Sequence, residues 1–318
     1  MLDKLSLDQI NYVNIMLMLL SAIAAVILPF EVFLFSYAIL GPLHYLTEIS
    51  WLHDKSYFSK FRSDFIPFVF LAIGIFLVSY IFTNQVRWVT SFVFLSAALA
   101  LVIIYIEKWL YRLFFMLFAT FLLILFYKYE FFRLIFMVYT PTIIHVYLFT
   151  GLFILYGALK SKSKSGYISL IVFLICTLLV VLPVVQVSYQ PSAFAIKNFY
   201  SFLNLNFTIL QNIGYNDLAT VNGAYKSTIG IMVMRFIAFA YTYHYLNWFS
   251  KTSVIKWHEV SKLRLLTVVF AWLVAISIYV YDYSLGFMVL YLLSFLHVLL
   301  EFPLNWITLT GIYKEIKK

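Results

Sequence analysis

Apolar residues run along the chain in blocks of about 20, without the polar return every third or fourth position that marks a helix with one wet face. As helices, blocks of that length cover the ~30 Å hydrocarbon core of a bilayer. Ten are predicted, over residues 10–28, 31–50, 65–83, 88–106, 110–127, 134–158, 167–186, 229–250, 265–281 and 285–307. No block alternates in the manner of a membrane barrel, and lipid leaves backbone polar groups to be satisfied within each segment. The expected fold is all-α: a polytopic integral membrane helix bundle of about ten transmembrane helices, one transmembrane domain over residues 1–318. The first block has no small-residue cleavage site before Pro29 and Glu31 and is read as a retained helix.

The polar residues between blocks orient them. Of the 22 Lys and Arg, sixteen fall in one set of alternate connections, which includes 55–62, 108–112, 160–164, 251–264 and the C-terminal Lys314, Lys317 and Lys318. Five fall in the opposite set, Arg87, Lys128, Arg133, Lys197 and Lys226, and Arg235 lies inside a block. Positive residues accumulate in cytoplasmic loops, so both termini are expected in the cytoplasm of a multi-pass protein of the cell membrane. Trp51, Trp248, Trp257 and Trp306 stand near the same ends, as an interfacial aromatic belt does. Val187–Ser227 is then the one long outer loop, and its 193–210 part mixes Phe, Leu and Ile with Lys197, Asn198, Asn204 and Asn206, which suits an interfacial helix. Arg235 and Glu31, near outer ends of their spans, are expected to snorkel to the surface.

Composition narrows the classes further. With 11% charged residues, against about 25% in soluble domains, 64% hydrophobic residues and a mean hydropathy of +0.96, the chain is neither soluble nor disordered. The +9 formal charge is scattered over short loops and forms no basic stripe, so nucleic acid is not an expected partner; membrane lipids are. Cys176 is the lone cysteine and has no partner for a disulfide or a thiolate metal site.

Ionisable side chains within the blocks are costly in lipid and mark functional positions. His44 and Glu48 lie four apart in the second block, and His297 and Glu301 repeat that spacing in the last, so each pair shares a helix face. At 1.5 Å per residue from the Trp belt, His44, His244, His297 and Glu301 lie roughly 6 to 13 Å deep, in one cytoplasmic-side layer. His145 lies deeper, where a helix tilted at Pro141 would bring it over the same site. Pro42 and Pro303 bend their helices beside candidate ligands. Neutral imidazoles bind iron, zinc or copper, and a carboxylate one turn away ligates the metal or holds a ligand's second N–H. The predicted site is therefore a metal site of His44, His145, His244 and His297, with Glu48 and Glu301 as its catalytic carboxylates. Fe(2+) is the expected ion because a thiolate-free His and carboxylate set with an open position suits non-haem iron chemistry; zinc or another transition metal remains open. His53 and His258 are expected to be solvated.

Gly41-Pro42-Leu43-His44 with Glu48 four residues on resembles the second-helix motif of the Brp/Blh membrane proteins. The resemblance implies an iron-dependent dioxygenase that cleaves beta-carotene centrally to two retinals, with intramembrane histidines as ligands and a lipophilic small-molecule substrate. His44 matches by motif; His145, His244 and His297 match as intramembrane histidines of later spans. The chain departs from that family in Tyr45, where a Gly is usual, in Glu48, where an Asp is usual, and in lacking a second His one turn from His244. The residues alone also admit a proton-coupled transporter that titrates buried His and Glu, or a structural membrane protein whose polar groups join helices.

Overall fold

The computed structural model describes residues 6–182 and 189–318. Among these residues there is no β-strand, and the apolar blocks become helices: α1 Leu7–Ile27, α2 Pro29–Asp54, α3 Ile66–Tyr80, α4 Trp88–Tyr105, α5 Trp109–Phe126, α6 Glu130–Ser161, α7 Lys164–Val181, and, after the long connection, α11 Thr228–Ser250, α12 Lys262–Tyr281 and α13 Tyr283–Ile316. Nine are long and apolar enough to cross a bilayer; α3, with 15 residues, spans about 22 Å. It is shorter than its apolar block because polar Thr83, Asn84 and Gln85 take a separate 3₁₀ turn. The protein is a multi-pass helical membrane bundle. Its outer surface is correspondingly apolar, with side chains such as Trp109, Phe131 and Val280 largely exposed.

Burial and hydropathy run in opposite senses across the bundle. In α5, apolar beyond Arg112 except for Thr120, 11% of the spanning window is buried, whereas in α11, which carries His, Tyr, Asn and Thr, 72% is. Lipid accepts the apolar helix, and the polar one has to find its partners inside protein. α11 packs on α1, α2, α6 and α7, and α13 packs on α2, α3, α4, α6 and α12. Helices α2, α6, α11 and α13 thus meet around a common centre.

Two of these four helices contain π-type turns. Residues Ser36–Leu40 of α2 are π-helical, and the Gly41 N–H donates to the Ser36 carbonyl, five residues back, just before Pro42, which has no N–H to give. Residues Ile135–Phe149 of α6 are π-helical around Pro141. Such segments arise where the i→i−4 ladder is interrupted and recur at functional sites. Here they precede His44 and include His145.

The connections rich in Lys and Arg gather at one end of the bundle. Arg112 pairs with Asp64 at 2.6 Å, Lys60 with Glu107 at 3.1 Å and Arg264 with Asp54 at 2.7 Å, while the Asn11 side chain donates to Ser165 at 2.8 Å. The segment between α7 and α11, described from Tyr189, folds as short helices α8 Ala193–Asn198, α9 Leu203–Asn212 and α10 Val221–Lys226. Helices α9 and α10 pack against the first turns of α11. Arg235, expected to snorkel, is instead enclosed by protein and 4% exposed. Glu31 is part-exposed and accepts the Tyr189 hydroxyl at 2.7 Å and the Ser192 N–H at 3.0 Å.

Candidate metal centre

His44 from α2, His244 from α11 and His297 from α13 are brought together in the buried centre, with one ring nitrogen of each within 4.8 Å of the others. They form a site able to coordinate a transition-metal ion. The Nε2 atoms of His44 and His244 are 3.1 Å apart, and Glu48 Oε2 lies 3.0 Å from His44 Nε2. His145 from α6 joins from the other side, its Nε2 3.1 Å from that of His297. All six predicted residues are therefore in contact within one buried cluster. His53 lies outside it, exposed and near Tyr57.

The two His-x-x-x-Glu pairs differ in use. Glu48 approaches the Nε2 of His44 on its own helix, the nitrogen that faces the cluster. Glu301 instead reaches across helices to His145, with Oε2 3.2 Å from Nδ1, the nitrogen opposite the one facing His297. Glu48 stands on the ligand side of the cluster, and Glu301 stands behind a ring that faces it.

The contacts of Thr150 favour one tautomer of His244. Its hydroxyl donates to the Val146 carbonyl at 2.8 Å, so its single proton is committed; toward His244 Nδ1, at 2.9 Å, the oxygen accepts. Nδ1 is then the N–H, and Nε2 keeps a bare lone pair for a cation, the arrangement that outer partners impose on metal-binding histidines. Thr150 carried no signal in the sequence, because a Thr on an apolar helix is ordinary. Its position on α6, five residues beyond His145, places it at the cluster.

The donor set suits a divalent transition metal. Metal–nitrogen bonds of about 2.1 Å at right angles set adjacent donors about 3 Å apart, close to the 3.0 and 3.1 Å separations around His44. His44 Nδ1, His297 Nδ1, Glu48 Oε2 and Glu301 Oε2 are buried without hydrogen-bond partners among the described residues. Two carboxylates, each 2% exposed, are expensive to ionise in a membrane interior, and one divalent cation balances both. Imidazole with carboxylate and no thiolate fits iron, zinc or copper; Cys176 is buried in an apolar cluster.

A cavity of about 210 Å³ opens on His145 and His297. Tyr37, Tyr45, Tyr241 and Tyr245 line it, and Phe202 and Leu205 bring it to the short helices between α7 and α11. Tyr45, one of the departures from the Brp/Blh pattern, is part of this wall. Gly41 permits the approach there: a Cβ at that position would meet the Tyr45 hydroxyl at 3.1 Å and the Tyr245 hydroxyl at 3.3 Å.

No family model, curated protein or solved structure matches the chain.

Proposed function

We propose that the protein is a membrane-embedded, iron-dependent oxygenase that acts on a lipophilic, carotenoid-like substrate, as its resemblance to the Brp/Blh proteins at Gly41–Glu48 implies. The observation that carries the reading is the buried His44, His244 and His297 triad beside an aromatic cavity. His44, His244 and His297 would hold the ion, with His145 and Glu48 completing its surroundings and Glu301 standing behind His145, 3.2 Å from its Nδ1. Iron so held supplies the redox chemistry that activates dioxygen.

The chain's own residues do the rest. Tyr37, Tyr241 and Phe202 present ring faces and edges to a polyene, and burial of the four histidines keeps water from the reacting carbon atoms. The cavity is smaller than the ~300–1,000 Å³ of ordinary ligand pockets, so a long chain places its reacting segment there and extends toward Phe202, Leu205 and the outer helices. Substrate enters from the lipid phase past these helices, and the Lys- and Arg-rich end, with both termini, faces the cytoplasm.

Expression in a host that makes beta-carotene tests the reading. Yellow colour is lost and retinal accumulates, while His44→Ala restores the carotenoid. Colour that persists with iron bound removes the carotenoid and leaves the oxygenase; protein without iron removes both.

A further inference from the structure

A second cavity, of about 190 Å³, opens at the Lys- and Arg-rich end of the bundle, between α1, α6, α7 and the end of α11. Ile10, Phe153 and Ile154 give it an apolar wall, and Leu7 and Val254, both exposed on the outside of the bundle, border it. Two of its polar side chains are spare donors. Asn247 and Lys251 stand one turn apart at the end of α11, and both line the cavity. Neither Asn247 Nδ2 nor Lys251 Nζ has a hydrogen-bond or ion-pair partner among the described residues, and neither atom is sealed in protein. The adjacent amide oxygens are already engaged: Asn14 Oδ1 accepts the Ser250 hydroxyl at 2.7 Å, and Asn247 Oδ1 faces the Tyr243 hydroxyl at 3.4 Å. No Asp or Glu lines the cavity among the described residues, and Asp8, at the start of α1, is taken up by the Ser163 and Ser165 hydroxyls. Burial lowers the Lys251 ammonium to about 8, with no carboxylate opposing the shift. A cation held in a partly apolar recess without an anion is costly.

We infer that this cavity holds the headgroup phosphate of an anionic phospholipid, bound by Lys251 Nζ and Asn247 Nδ2. The assignment follows from charge, donor count and position. An ammonium and an amide N–H one turn apart offer charge-assisted and neutral hydrogen bonds to two phosphate oxygens. Asn11 Oδ1, which also lines the cavity and has no donor among the described residues, suits a headgroup hydroxyl. A choline group would instead bring a second cation beside Lys251, with no carboxylate in the wall to take it. The phosphate belongs to a lipid because the remaining wall is apolar: the cavity admits a headgroup, and the acyl chains run outside it along Leu7 and Val254. Basic recesses between spanning helices take anionic headgroups in this way. The site stands apart from the metal centre and does not depend on what that centre does.

Competition separates the lipid from its alternatives. Radiolabelled dioleoylphosphatidylglycerol is titrated against the full-length protein in maltoside micelles, with unlabelled dioleoylphosphatidylcholine and inorganic phosphate as competitors. A saturable component is expected, against which phosphatidylcholine competes about 10-fold less well than unlabelled phosphatidylglycerol. Inorganic phosphate, which has no acyl chains to place along Leu7 and Val254, leaves it in place. Lys251→Met, and Asn247→Asp, which sets a carboxylate beside Lys251, each weaken the component about 10-fold or more while eluting from gel filtration as the wild type does. Lys251→Arg keeps the charge and retains it. Displacement by phosphate as readily as by the lipid would make this a site for a free anion and overturn the assignment. Equal competition by the two lipids, or binding unchanged in Lys251→Met and Asn247→Asp, would overturn it as well.

Discussion

The Tyr45 ring lies over the imidazole of His297, with centroids 4.1 Å apart and planes 24° from parallel. Its hydroxyl is 2.8 Å from that of Tyr245 on α11. One residue of α2 therefore holds a ligand candidate of α13 in place and ties it to α11. A stacked aromatic pair contributes about 0.5–1.5 kcal/mol beyond its buried area, which corresponds to a change of roughly 2- to 10-fold if it is expressed in metal affinity. Tyr45→Gly is expected to weaken metal retention by that factor, and Tyr45→Phe, which keeps the stack, to leave it nearly unchanged. Competition with a chromophoric chelator measures both; equal losses in the two variants would assign the effect to the hydroxyl instead.

Thr150 acts on His244 from behind. Thr150→Val keeps the shape and removes the acceptor that holds Nδ1 as the N–H. Loss of such an outer partner typically lowers metal affinity about 10- to 100-fold. Thr150→Ser retains the hydroxyl and should bind as wild type does. Unchanged affinity in Thr150→Val would mean that His244 keeps its tautomer by other means.

The six ionisable residues of the cluster were legible in the sequence because a bilayer makes each of them costly wherever it stands, and the apolar background made them few. The shared layer of His44, His244, His297 and Glu301 followed from the helical rise. What the sequence withheld depends on which helices meet. Glu301 pairs by spacing with His297, yet it contacts His145 on α6. Tyr45 and Thr150 are lost among 25 tyrosines and the ordinary threonines of apolar helices. Pro42 and Pro141 announced bends, but the π-type turns beside them depend on backbone partners that a sequence does not display. Arg235 read as a snorkelling residue because nothing in its own helix shows that protein encloses it.

The sixteen-to-five division of Lys and Arg makes a topological prediction. Reporters at Lys162 and Lys318 should both read as cytoplasmic, and one inserted after Asn216 should read as external. Opposite readings at Lys162 and Lys318 would break the arrangement, since the ion pairs at Asp54, Asp64 and Glu107 gather the basic connections at one end.

The metal content of protein purified gently from iron-replete cells tests the central claim most directly. The account predicts bound iron in the wild type, strong loss of it in each of His44→Ala, His244→Ala and His297→Ala, and full occupancy in His53→Ala, which lies outside the cluster. Wild-type protein without a transition metal, or full occupancy in all three cluster variants, would contradict it.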